Sequence, residues 1–229
     1  MTLLALDTST STLHLAIKGD DFYEERMIFD SLQHSDAMLG QIKALLKDHN
    51  KTLKDLDLLF CTRGPGAFTS LRIGMATLKG FALALDIPLV TIPTLDVIAN
   101  SVKFFPGAII PVIDAKKKRY YLGFFNSELS VIKSLDGNAE DLISLVNKEP
   151  SVLVTGPDAK VFAEKLNALN PTSTVITDNA IVRNYCQSLI ELGLKAYEEN
   201  GADDIGQGPI YVRKSDAEEA LLLRQKENK

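Results

Sequence analysis

Arg63 to Leu85 reads RGPGAFTSLRIGMATLKGFALAL, and how this stretch folds decides the rest. It opens on a turn. Pro65 has no backbone N–H to give a sheet, and Gly64 and Gly66 gain little by staying extended. Before the turn lies Leu56 to Thr62, LDLLFCT, an apolar run of strand length. After it, Phe68 to Leu85 contains no proline and many good helix formers. The stretch therefore reads as strand, glycine turn, helix. Polar side chains in that helix are confined to Thr69, Ser70, Arg72, Thr77 and Lys79. A helix apolar around most of its circumference is buried around most of it. Arg72 and Lys79 interrupt the apolar run, so it falls short of the roughly 20 residues that a membrane span takes. Gly74 and Gly80 each weaken a helix by about 1 kcal/mol relative to alanine, and with Ala84 they admit a close neighbour. The helix is expected to cover its own sheet with one face and to meet another helix with the other. That second helix can belong to another protein.

The chain has 229 residues, 45% hydrophobic and 24% charged, enough for one large core or two small ones. A net charge of −5 argues against a free-standing nucleic-acid binder, which carries a basic excess, but not against an RNA contact shared with a partner. Cys61 and Cys186 offer no metal-ligand spacing, and Cys61 sits in an apolar strand where a reduced, buried thiol is expected. Met1 runs straight into a strand with no basic leader region, so a reduced, cytoplasmic protein is the expectation.

Taken in order, residues 2–7, 13–17 and 22–29 are three strands joined by the hydroxyl-rich turn Asp7 to Thr12 and the turn Gly19-Asp20-Asp21, an antiparallel meander. A helix capped by Ser35 or Asp36 runs to His49, with Met38, Leu39, Ile42, Leu45 and Leu46 as its apolar stripe. The strand at 56–62, the long helix, a strand at 88–92 and a short helix from Thr94 complete the first half. Phe104-Phe105-Pro106-Gly107 marks a boundary, with domains expected at 1–103 and 104–229. The order then repeats: strands at 109–113, 120–125 and 129–135, a helix at 140–147, a strand at 152–155, a helix at 157–166, a strand at 175–176 and a helix at 181–199. Each half is an α/β unit, a mixed sheet of antiparallel meander plus parallel strands with covering helices. A charged terminal helix is expected from Ala217.

Four motifs are candidates for chemistry. Gly64-Pro-Gly66-Ala-Phe-Thr69 falls short of a dinucleotide fingerprint, because Thr69 replaces the third glycine and the chain opens with a meander instead of a β-α-β unit. Asp7, Thr8 and Ser9 suit a phosphate or its magnesium ion, or equally a hairpin turn held by its own side chains. Lys116, Lys117, Lys118 and Arg119 read as a solvated turn or as a local phosphate or tRNA contact. His14, His34 and His49 form no helical metal pair and read as surface or capping residues.

LALDTSTSTLHLAI, HSDAMLGQIKALL, the RGPG helix and IPTLDVIA together resemble the TsaB (YeaZ) family through the first half, and VIDAKKKRYYLGFF and PIYVRK resemble it more loosely in the second. The resemblance implies the duplicated fold of the actin-like, sugar-kinase-like (ASKHA) superfamily. It implies a non-catalytic subunit that binds TsaD, and with it TsaE, in threonylcarbamoyl transfer to the adenosine beside the anticodon of tRNAs reading ANN codons. It implies a homodimer when alone, tRNA reached through the complex, no intrinsic cofactor, and ATP and metal on the partner subunits. The partner helices are then Ser35 to His49 and Phe68 to Leu85. Leu39, Ile42, Leu46, Arg72, Met75, Ala76 and Lys79 are the expected interface positions by helical spacing. Ser9 stands where the superfamily's phosphate loop has glycine, and its side chain crowds a phosphate. An ATP-dependent phosphotransferase using Asp7 is the alternative, and a thiol- or metal-dependent peptidase the third.

Overall fold

The computed structural model describes residues 1–29, 34–180 and 183–212, and the side chains of these except 34–37. The expected terminal helix from Ala217 lies outside them. The first sheet contains β1 (Leu3–Asp7), β2 (Leu13–Lys18), β3 (Tyr23–Ile28), β4 (Leu58–Thr62) and β5 (Leu89–Ile92), in the order β3-β2-β1-β4-β5. β1 pairs antiparallel with β2 and parallel with β4. The second sheet contains β6 (Ala108–Lys116), β7 (Arg119–Phe125), β8 (Val131–Gly137), β9 (Ser151–Thr155) and β10 (Thr174–Thr177), in the order β8-β7-β6-β9-β10 with the same pattern of directions. The duplicated α/β architecture expected from the repeated strand order is what the chain adopts.

Helices cover both faces of each sheet. α1 (His34–Asp48) and α2 (Phe68–Leu85) lie on the outer face of the first sheet, while α4 (Ile143–Val146) and α5 (Ala159–Ala168) cover the outer face of the second. Between the sheets lie α3 (Thr94–Asn100) and α6 (Tyr185–Asn200), and these are exchanged. α3, from the first half, packs on β6 and β7, whereas α6, from the second half, packs on β1, β2, β4 and β5. Alternation along β1 shows why both faces need cover. Leu3 and Ala5 enter the central layer and Leu4 and Leu6 the outer one, all buried, so the strand reads as a continuous apolar run.

Phe60 of β4 is among the largest fully buried side chains and lies under α6. α6 sits close because Gly193 faces that ring: a Cβ there would lie 2.2 Å from Phe60 Cδ1. Gly80 on α2 is the opposite case, exposed, with nothing within 4 Å of a built Cβ. Replacing Gly193 with alanine is therefore expected to destabilise the fold by about 1–3 kcal/mol through overpacking. Replacing Gly80 with alanine should stabilise the isolated chain by up to about 1 kcal/mol. Denaturant melts of the two variants check both signs.

Candidate functional site

The glycine turn is built against the end of β1. Asp7 and Thr62 end the neighbouring parallel strands β1 and β4 on the same face, and the Thr62 hydroxyl donates to Asp7 Oδ1 at 2.7 Å. The Ser9 amide donates to the same oxygen at 2.8 Å. Gly66 then rests on Ser9, where a Cβ would come within 2.3 Å of the Ser9 carbonyl oxygen. The Ala67 amide donates to that oxygen at 2.7 Å. Gly74, one turn into α2, leaves room for Thr8, whose Oγ1 would lie 2.4 Å from an added Cβ. The space at Gly74 therefore serves the chain's own turn and not a second helix.

Asp7, Thr8 and Ser9 are consequently buried, none of them more than 2% exposed. Asp7 Oδ2 and Ser9 Oγ, with Arg63 Nε and Thr94 Oγ1, are buried without a hydrogen-bond partner. A phosphate does not fit this turn, because the Ser9 amide is engaged by Asp7 and the open side is filled by Gly66. Among the described residues no three His, Cys, Asp or Glu side chains come together as a metal site.

The expected interface positions separate into three groups. Ile42, Leu46 and Met75 are buried in the outer-layer core against β1, β2 and β4 and present no surface. Helical spacing marks a stripe but not which stripe meets the sheet, and these three positions fall on the inward-facing one. Arg72 and Lys79 lie at the edge of the exposed stripe and are engaged by the C-terminal segment. Leu39 and Ala76 are open to solvent. The outer stripe of α2 runs through Thr69, Ala76, Gly80 and Leu83, with Leu83 70% exposed. Gly80 and Leu83 were absent from the expected positions, although they follow Ala76 at helical spacing.

Sequence reasoning also missed a strap formed by residues 201–212. The Asp203 amide donates to the Leu89 carbonyl at 2.9 Å, and the Thr91 amide donates to Asp203 Oδ2 at 2.8 Å. Lys79 Nζ donates to the Gln207 carbonyl at 2.6 Å, as does the Ile210 amide to the Arg63 carbonyl at 2.6 Å. The Tyr211 ring lies 4.5 Å from that of Phe68, its hydroxyl accepts from Arg72 Nε at 2.7 Å, and the Arg72 guanidinium lies 3.9 Å above Phe68.

In the basic turn, Lys116, Lys117 and Lys118 all have positive φ, at 63°, 54° and 62°. Lys116 pairs with Asp114 at 2.9 Å and Arg119 with Asp136 at 2.8 Å, and Lys118 is exposed. Of the histidines, His14 departs from the surface reading, while His49 follows the end of α1 and is partly exposed. His14 is 4% exposed and meets Glu25; His49 stacks on Phe22 and meets Glu24 at 2.9 Å. The side chain of His34 lies outside the described residues.

A protein-family model described as TsaD, tRNA N6-adenosine threonylcarbamoyltransferase, matches residues 30–205. The tRNA threonylcarbamoyladenosine biosynthesis protein TsaB of Bacillus subtilis is 30% identical over 99% of this chain and 100% of its own length. Its namesake from Escherichia coli is 29% identical over 53% of each chain. The solved structure of YeaZ from Pseudomonas aeruginosa superposes with a TM-score of 0.74 at 22% identity, covering 92% of this chain and 99% of that one. At that identity the last likeness bears on the fold.

Two expectations follow from the geometry. Burial pushes the Cys61 thiol up to about 12 and raises that of Cys186 well above the ordinary range, so almost no thiolate exists at pH 8. Both thiols should resist alkylation in the native protein at pH 8 and react only on unfolding, as mass spectrometry after an iodoacetamide pulse will show. Replacing Tyr211 with alanine removes the ring contact and the Arg72 hydrogen bond. It should expose residues 203–212 to limited proteolysis while lowering global stability by about 1 kcal/mol or less.

Proposed function

The chain belongs to the TsaB (YeaZ) family, within the wider grouping that the TsaD-named model describes, and from that premise we propose that it is a non-catalytic scaffold subunit of tRNA threonylcarbamoyladenosine synthesis. It docks TsaD through the outer layer of α1 and α2, and TsaE joins that pair. TsaD then transfers the threonylcarbamoyl group to the adenosine beside the anticodon. Alone, the same face pairs two copies into a homodimer. ATP and metal belong to the partner subunits, tRNA is reached through the complex with Lys118 nearest to hand in the basic turn, and the work is done in the cytoplasm.

The observation that carries this reading is the outer stripe of α2. Ala76, Gly80 and Leu83 form an exposed apolar line on a helix whose other faces are packed. A small residue flanked by a large one lets a partner helix approach closely and gives it something to bury. The closed turn at Asp7 to Ser9 weighs against the phosphotransferase alternative, and the buried thiols weigh against a thiol peptidase. No helix among the described residues is long and apolar enough to cross a membrane.

Ala76→Arg and Leu83→Glu should each weaken TsaD binding by about 30-fold or more, corresponding to about 2 kcal/mol. Both positions are exposed, so folding stability should move by no more than about 0.5 kcal/mol. Light scattering during size exclusion, alone and with the cognate TsaD, measures this. Native binding by both folded variants would remove the face from the proposal.

A further inference from the structure

The cleft between the two halves encloses a cavity of about 340 Å³, near the lower end of the roughly 300–1,000 Å³ usual for ligand pockets. β2 and β3 contribute His14 and Met27 to its wall, with Phe29 just beyond; Lys160 of α5 and Tyr185 of α6 come from the second half. His14 is almost wholly buried, and its Nδ1 lies 3.3 Å from Glu25 Oε1. Glu25 also accepts from the Tyr23 hydroxyl at 2.5 Å and from the Cys186 amide at 3.2 Å. With the Tyr23 hydroxyl and the Cys186 amide already donating to Glu25, the tautomer with N–H at Nδ1 satisfies both partners of the His14–Glu25 contact. In that tautomer the acceptor nitrogen is Nε2, which no described residue meets, and His14 lines the cavity. The Tyr185 ring, 4.9 Å from that of His14, backs the imidazole and fixes its plane.

The charges in the wall are as specific. Arg183 is held in a two-point pair by Asp178, through Nε to Oδ2 at 2.9 Å and Nη2 to Oδ1 at 2.5 Å. Lys160 is exposed and has no carboxylate partner among the described residues. Among the described residues of the wall Lys160 is therefore the one unpaired cation, which suits a single negative charge better than a phosphate dianion. Met27 and Phe29 supply an apolar wall for a short carbon skeleton.

We propose that this cleft binds a small carboxylic acid that also carries a hydroxyl or amino group, with Lys160 taking the carboxylate and His14 Nε2 accepting from the hydroxyl or amine. Glu25 is a positioning residue that sets the tautomer. The site is independent of the α1–α2 face and of the closed turn at Asp7 to Ser9.

The test is titration of the full chain by proton–nitrogen correlation spectra with lactate, serine, propionate and AMP. Lactate or serine should give saturable shifts centred on the amides of Gly156, Ala180 and Tyr185. Propionate, which lacks the donor, should bind at least about tenfold more weakly. Lys160→Gln should weaken every acid by about tenfold, and His14→Phe should erase the difference between lactate and propionate. Should His14→Phe fail to fold, the ratio of lactate to propionate in the unaltered chain decides. Equal binding of propionate, tighter binding of AMP, no saturable shift at tens of millimolar, or indifference to Lys160→Gln would each overturn the proposal.

Discussion

The buried carboxylate of Asp7 organises the first half of the molecule. A carboxylate withdrawn from water needs hydrogen bonds in exchange, and here Thr62 and the Ser9 amide supply two, both to Oδ1, while Oδ2 is left without a partner. Those two bonds tie the ends of β1 and β4 and fold the hydroxyl turn back on itself. The folded turn becomes the seat of Gly66, and that seat sets where α2 begins. Gly74 over Thr8 then fixes the rotation of α2 about its axis. With Leu71, Gly74, Met75, Leu78 and Ala82 turned inward, Ala76, Gly80 and Leu83 face outward. The hydroxyl turn is thus the foundation on which α2 and its outward stripe are set.

The exchange of α3 and α6 has a comparable consequence for the cleft. Each half places its last helix on the other half's sheet, so the two sheets share one helical layer. α6 begins beside the open end of the first sheet, and its first residues, Tyr185 and Cys186, meet His14 and Glu25. A pair of polar side chains on β2 and β3, which a single half would leave in water, becomes nine-tenths buried. The cavity between the halves and the polarised imidazole in its wall arise from the same packing decision.

Much of this was legible in the residues. Period-two alternation and the turn chemistry at Asp7 to Thr12 and Gly19 to Asp21 placed the first meander, and the repeat of that order placed the second. The apolar α2 was legible as a helix that covers its own sheet, which Met75, Leu78 and Ala82 do. Where reading failed, the missing information was non-local. Ile42, Leu46 and Met75 share helical spacing with true surface positions, and only the sheet decides which stripe is covered. His14 reads as a surface or capping residue because α6, some 170 residues later, is what covers it. The strap at 201–212 has neither periodicity nor a hydrophobic run; it is held by backbone amides, by Asp203 and by one tyrosine ring, none of which leaves a pattern in sequence. The tight fit of Gly193 on Phe60 likewise becomes visible only in three dimensions.

The outer stripe of α2 is poor design for a chain that works alone. Gly80 weakens the helix by about 1 kcal/mol relative to alanine although nothing stands within 4 Å of the position. Leu83, 70% exposed, leaves apolar surface in water that a polar residue would not. Both penalties vanish if another backbone closes over Gly80 and another side chain covers Leu83. The strap adds to this arrangement by holding the two cations beside the stripe. Tyr211 anchors Arg72 and the Gln207 carbonyl anchors Lys79, so neither long side chain sweeps across the apolar line. Fewer rotamers then remain to be frozen when a partner arrives, which favours association without adding a single contact. The face is weakly built for the isolated chain and would lose both penalties under a covering helix.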